Sequence, residues 1–474
     1  MDIEANAIAR RDGKVLFVRD ALAGEEVLAQ LVRSKAKYDV AQMLEVRKPS
    51  VQRVAPRCPH FGVCGGCSMQ HLEPRAQVSV KQRVLEDTLW HLGKVRAQTV
   101  LAPIVGSAWG YRYRARLSVR NVIKKGKVLV GFHEKGSGFV ADMQVCHVLP
   151  KRVSDLLMPL RALVTSLSIL DALPQIELAF NDAPQGAGSP DVLVMVLRIL
   201  APLTLADETI LSDFSEVNRI EFWLQTKGPE TVKIFDPLGL GLASRLAYQL
   251  PEFGITMPFK PSDFTQVNHQ INAVLVSRAL RLLEVQATDR VLDLFCGLGN
   301  FTLPLATQAR EVVGVEGSPS LVARAKQNAQ VNALGSKALF EAANLFEFDE
   351  SVLIQLGSFD RWLIDPPREG ALAVVQTLVN VRQAHPHLVP KRIVYVSCNP
   401  ATLARDCAVL VDSGGWIVRS AGVVNMFAHT SHVESIAVLE PIVIAKPKVT
   451  PEPMMMSDAP NHTAQPAATT GAAE

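Results

Sequence analysis

Four short strand-like runs alternate with turns and helical stretches between Arg290 and Ser397, and this rhythm constrains the fold more than any other feature. The runs are Arg290–Leu294, Glu311–Val315, Trp362–Ile364 and Ile393–Ser397, and helical stretches such as Val322–Ala333 separate them. Strands alternating with helices predict a doubly wound α/β domain, assigned here to 261–440. The chain has 474 residues, which at roughly 100–200 residues per domain suggests two to four domains. Hydrophobic residues make up 48%, enough for a sizeable core, and the expected class is α/β multidomain.

The ends of these strands carry reactive residue types. Asp293 leads into Phe295-Cys-Gly-Leu-Gly-Asn300, a glycine turn that lets a ligand approach the backbone at the carboxyl edge of the sheet. Glu316 lies 23 residues after Asp293, where an acid can accept both hydroxyls of a ribose. The turn lacks the third glycine expected of a dinucleotide site. An acid at the first strand end also suits an ammonium-bearing ligand better than a phosphate, so S-adenosylmethionine is favoured over NAD. Asn344 falls where an adenine edge would be read. Asp365 follows an apolar strand, and Pro366 and Pro367 stiffen the loop after it.

Cys398 ends the strand Ile393–Ser397, where a thiolate nucleophile would sit. Glu434 offers a carboxylate near the end of the fold. Asp365, Cys398 and Glu434 together suit methylation at carbon 5 of a uracil. That carbon is a poor nucleophile until a thiolate adds at carbon 6, and a separate base must later remove the carbon-5 proton. Cys296 and Cys407 read as packing residues.

The first 260 residues have a different texture. Residues 1–50 read as a small OB-like β-barrel, with runs at Val15–Val18 and Glu26–Val32. Residues 51–260 read as a mixed α+β region. It includes an amphipathic helix over Gln77–Leu92 with Val80, Val84, Leu85, Leu89 and Leu92 on one face, and a polar loop over 181–190. The tail 441–474 reads as disordered. The formal charge of +3 hides a segment, 75–135, with thirteen cations and three acids, net +10. Within it Arg112, Arg114 and Arg116 alternate with other residues and have no acid nearby in sequence, so a cationic strand face tracking a polyanion is expected. Cys58, Cys64 and Cys67 give C-x5-C-x2-C, and Cys146 lies farther along. Four thiolates can hold zinc or a 4Fe–4S cluster, and their chemistry alone does not choose. The apolar stretch Val192–Leu203 is interrupted by Arg198, and the N-terminus lacks an apolar signal core, so no membrane span and a cytoplasmic location are expected.

In combination the blocks Phe264-Thr-Gln266-Val-Asn268, DLFCGLGNF, VEGSP, DPPR-G, SCNP and HVES strongly resemble the RNA uracil-5 methyltransferases, over essentially residues 1–440. The resemblance implies a Rossmann-like methyltransferase domain that uses S-adenosyl-L-methionine. It implies Cys398 as nucleophile and Glu434 as proton-abstracting base. Gln266, Phe295, Asn300, Glu316, Asn344 and Asp365 would line the cofactor and uracil pocket. The branch with this cysteine motif carries one 4Fe–4S cluster, on Cys58, Cys64, Cys67 and Cys146. Residues 1–50 resemble a TRAM domain whose first strand looks shortened, with Asn6 where a glycine-rich turn is usual. Barrel and cluster together imply the branch that modifies 23S rRNA, acting as a monomer on a flipped-out uridine. The nearest alternative is a tRNA uracil-5 methyltransferase. A non-enzymatic iron–sulfur RNA-binding protein is the binding-module reading. A cytosine-5 methyltransferase is disfavoured because the Thr-Cys and Pro-Cys contexts are missing.

Overall fold

The computed structural model describes residues 1–181 and 191–442. The polar loop read over 181–190 and the tail read from 441 lie, but for their first residues, outside the described residues. Among the described residues no helix is long and apolar enough to cross a membrane.

The α/β half is built on seven strands: β1 (Arg290–Leu294), β2 (Glu311–Glu316), β3 (Ala338–Ala342), β4 (Arg361–Ile364), β5 (Arg392–Ser397), β6 (Trp416–Val424) and β7 (Glu434–Pro441). Their order is β3-β2-β1-β4-β5-β7-β6, and an eighth strand from far upstream, Thr99–Val100, completes the β6 edge. The strands β1 to β5 run parallel, and β7 is antiparallel to both neighbours. Both faces are covered, so the central strands are continuous apolar runs rather than alternating ones. Trp362 and Tyr395 are fully buried, and each large apolar side chain so buried contributes about 1.5–3 kcal/mol. The helix His269–Leu283 begins where Asn268 Oδ1 accepts the Ile271 N–H at 3.1 Å, so the Phe264–Asn268 block ends in a helix cap.

The first region forms a four-stranded sheet, Ala7–Arg11, Lys14–Arg19, Tyr38–Lys48 and Glu26–Ser34 in that spatial order. The middle region forms a six-stranded sheet whose order is Lys233–Ile234, Ile220–Gln225, Val192–Arg198, Gln175–Asn181, Arg114–Val122, Lys127–Gly131. One face packs on the helices Leu157–Ser166 and Leu205–Asn218. On the other, Val194, Val196 and Trp223 share a core with Tyr248, Met257 and Phe259.

Two expectations from the sequence need correction. The amphipathic helix spans Pro74–His91, and Leu92 lies beyond its end and is exposed, whereas Lys81 is buried on the inner face. That face packs on the α/β half: Val78, Val84, Leu85 and Leu89 share a core with Ala404, Cys407 and Val418. The strand begins only at Arg114, so Arg112 precedes the expected cationic face, and Arg114 and Arg116 are not free of partners. Arg116 pairs with Glu177 at 2.8 Å, a residue brought opposite it only by strand pairing. Arg114 donates to the carbonyls of Asp263 and Pro261 at 2.7 and 2.5 Å.

Candidate active site

The carboxyl ends of the parallel strands open into a cavity of about 530 Å3. Asp365 enters it from the end of β4, Cys398 from the end of β5 and Glu434 from the start of β7. Strand pairing sets the last two side by side. Ser397 lies opposite Ser435 in the antiparallel β5–β7 ladder, so the next step in register brings Cys398 to Glu434. Facing residues in such a ladder have Cβ atoms about 4.5–5.5 Å apart. Gln266, Phe295, Asn300, Glu316 and Asn344 line the same cavity. All eight residues expected at the catalytic and cofactor positions thus meet in one space.

The glycine turn is held tightly. Phe295 has φ +63°, a left-handed conformation that strains a bulky side chain. Glu316 accepts the Gly297 N–H at 3.1 Å through one carboxylate oxygen and the Ser318 N–H at 2.9 Å through the other. Asn300 and Asn272 exchange amide hydrogen bonds at 2.8 and 3.0 Å, and the Tyr248 hydroxyl donates to Asn300 Oδ1 at 2.9 Å. Asn344 Oδ1 caps the turn that follows it by accepting the Phe346 N–H. Cys296 and Cys407 are buried in the core, as their positions predicted.

The electrostatics favour neutral forms before any ligand binds. Burial, then the charge of Asp365, pushes Glu434 up to about 8. Burial pushes Asp365 up to about 7. Below the turn, Asp293 is fully buried and is pushed up to about 8 by burial, although Thr302 donates to it at 2.5 Å. Burial and the charges of Glu434 and Asp365 raise Cys398 to about 11. The Arg368 guanidinium opposes these effects on both Cys398 and Glu434. Arg368 bonds the His432 ring at 3.0 Å, and both residues line the cavity.

Several contributors carry no role in the motif reading. Arg368 and His432 stand inside the quoted DPPR and HVES blocks, so their signal was present. Tyr248 and Phe427 also line the cavity from outside those blocks. The loop before Glu434 is gripped from the first third of the chain. Lys81 Nζ donates to Asn425 Oδ1 and to the Phe427 carbonyl, each at 2.8 Å. The Ser68 and Met69 N–H groups both donate to the His429 carbonyl at 2.9 Å, and Tyr111 donates to the Ala428 carbonyl at 2.7 Å. Trp109 stacks on His429 with ring centroids 3.9 Å apart.

Cys58, Cys64, Cys67 and Cys146 line a separate small cavity, with His60, Phe132 and Met143 beside them. Among the described residues, no three His, Cys, Asp or Glu side chains are grouped so as to hold a metal ion. Burial, then the neighbouring cysteines, pushes Cys146 up to about 12, and burial pushes Cys67 up to about 11. Thiols that raise one another in this way suit a soft cation that would compensate their charge.

Residues 254–442 match the family model described as tRNA (Uracil-5-)-methyltransferase. A crystal structure of the Pyrococcus abyssi tRNA (uracil-54, C5)-methyltransferase with S-adenosyl-L-homocysteine superposes with a TM-score of 0.66. At 23% identity, over 90% of this chain and 94% of that one, it shows a shared fold. Full-length relatives are far more similar. The protein of Bordetella avium named 23S rRNA (uracil(1939)-C(5))-methyltransferase RlmD is 60% identical over 93% of this chain and 90% of its own length. A protein of the same name from Cupriavidus pinatubonensis is 58% identical over 93% of this chain and 94% of its own length. With such identity along nearly the whole chain, and with the α/β half folded around one shared cavity, the chain belongs to the family of the 23S rRNA (uracil-C5)-methyltransferases.

Proposed function

We propose that this protein transfers a methyl group from S-adenosyl-L-methionine to carbon 5 of a uridine in 23S rRNA. The observation that carries the reading is the meeting of Cys398, Glu434 and Asp365 in one cavity together with the cofactor-type residues. Gln266, Phe295, Asn300, Glu316 and Asn344 hold the cofactor, which when bound supplies an electrophilic methyl. The target uridine leaves its stack and enters the cavity, where Asp365 orients the uracil edge. Cys398 as thiolate adds to carbon 6, and the electron pair of the 5,6 double bond moves toward the carbon-4 carbonyl as an enolate. Carbon 5 is now nucleophilic and accepts the methyl. Glu434 as carboxylate then takes the proton from carbon 5, the 5,6 double bond re-forms, and the Cys398 thiolate leaves. Arg368 favours both anionic forms that this sequence needs.

A second substrate, tRNA, is the competing reading, because the matching family model bears that description. The full-length relatives favour 23S rRNA. Assay of labelled methyl transfer to a 23S rRNA transcript and to bulk tRNA decides between them. Transfer to the rRNA alone is expected, and transfer to tRNA alone would overturn the assignment.

The four cysteines hold one 4Fe–4S cluster in this reading. A cubane takes one thiolate at each iron, and the four thiols around one cavity fit that demand. Anaerobically purified protein should carry iron and acid-labile sulfide with broad visible absorption; stoichiometric zinc would refute the cluster. The first 50 residues act as a TRAM-type RNA-binding barrel, and the protein works as a cytoplasmic monomer.

A further inference from the structure

A polar recess of about 310 Å3 lies on the face of the six-stranded sheet that carries Arg116, at the end left open beyond Val196. Arg116, Gln175, Glu177, Arg198, Gln225 and Lys227 line it. Strand register aligns them: Arg116 faces Glu177, and Arg198 lies between Gln175 and Gln225. The three cations and one acid leave a net charge of +2. Arg116 is held by Glu177 at 2.8 Å, while Arg198 and Lys227 make no ion pair among the described residues.

One chain segment runs from the recess into the lining of the catalytic cavity. Pro261 and Ser262 line the recess, and Phe264, Thr265 and Gln266 line the cavity. Gln266 is four steps along the chain from Ser262, so the two sites lie at most about 14 Å apart along this backbone. Arg114 fixes the connecting segment by donating to the Pro261 and Asp263 carbonyls. A nucleic-acid strand with a base in the cavity therefore has neighbouring phosphates within reach of the recess.

We propose that this recess binds the sugar–phosphate backbone of the rRNA strand flanking the target uridine, with Arg198 and Lys227 on phosphates and Gln175 and Gln225 on phosphate or 2′-hydroxyl groups. The proposal rests on the function argued above. Guanidinium, ammonium and amide donors around an open polar recess match how RNA backbones are contacted, and they position the strand without reading its sequence.

The test is binding of a 23S rRNA fragment containing the target uridine to the full-length protein over a range of salt concentrations. The double variant Arg198→Gln/Lys227→Gln should bind more weakly. Its plot of log affinity against log salt should flatten by about 1.4, from two lost phosphate contacts at about 0.7 each. Its turnover at saturating RNA and its S-adenosylhomocysteine binding should match the parent. Glu177→Gln releases Arg116 and should do the opposite, with tighter binding and a slope steeper by about 0.7. Misfolding would not produce that gain, so this variant decides the matter even if the double variant is unstable. A folded double variant with the parent's slope, or a Glu177→Gln protein no tighter than the parent, overturns the proposal. If the parent itself methylates no 23S rRNA, the failure lies instead with the proposed function.

Discussion

Replacing Glu434 by Gln should make the protein more stable and catalytically dead at once, with a gain that grows as pH rises from about 4.5 to about 8. Glu434 is 3% exposed and is pushed up from 4.5 to about 8 in the folded chain by burial and by Asp365. Below the unfolded value both states hold the proton, and the group is neutral toward folding. As pH rises from there to the folded value, the unfolded chain releases its proton and the native chain does not. Stability therefore falls over that window, by about 1.4 kcal/mol per pH unit. The full interval of roughly 3.5 units corresponds to on the order of 5 kcal/mol, and Asp365 shares the effect, so about 2–5 kcal/mol should return in the variant. Gln is nearly isosteric and never ionises. In thermal melts, Glu434→Gln should match the parent near pH 4 and melt several degrees higher near pH 8.5. The variant should also still form the Cys398 adduct with RNA but fail to release it, because nothing removes the carbon-5 proton. A stability change equal at both pH values, or a loss at the higher one, would refute the electrostatic reasoning.

Three further outcomes follow from the site. Cys398→Ala should abolish methyl transfer and covalent trapping of 5-fluorouracil-containing RNA on a denaturing gel, while S-adenosylhomocysteine affinity changes less than about threefold. Lys81→Met leaves Asn425 Oδ1 without its donor and the Phe427 carbonyl with Thr430 alone, at a cost of about 1–3 kcal/mol; kcat should fall while S-adenosylhomocysteine affinity holds. Tyr248→Phe removes one hydrogen bond to Asn300, so calorimetry should find S-adenosylhomocysteine binding weakened about 2- to 10-fold, matching about 0.5–1.5 kcal/mol.

The legible part of this chain was the part whose physics is local. The strands β1, β2, β4 and β5 were readable because buried parallel strands are short aliphatic runs, and their reactive residues stand directly at the ends of those runs. What was missed depends on pairing across long sequence distances. Lys81 is a charged residue inside an otherwise apolar helix face, and only its acceptors at Asn425 and Phe427, more than 340 residues away, account for its burial. The partner of Arg116 lies 61 residues downstream and becomes a neighbour only through the ladder between Arg114–Val122 and Gln175–Asn181. Thr99–Val100 is too short to read as a strand alone, and it exists because β6 offers an open edge. Tyr248 lies outside every motif, so nothing in its neighbourhood marked it.

The grip of Lys81 on the loop before Glu434 also sets a timetable for synthesis. The separation of 344 residues from Lys81 to Asn425 takes a ribosome roughly 17–70 s at about 5–20 residues per second. For that interval the helix Pro74–His91 has left the ribosome with its inner face uncovered, because Ala404, Cys407 and Val418 have yet to be made. Glu434 is among the last described residues translated, and the loop before it closes only onto anchors laid down at the start. A chain interrupted between Asn300 and the final strand thus has the glycine turn but not Glu434; if it stops before Ala404, it would be exposed to chaperones and proteases with a lysine-bearing apolar helix still waiting for its partner.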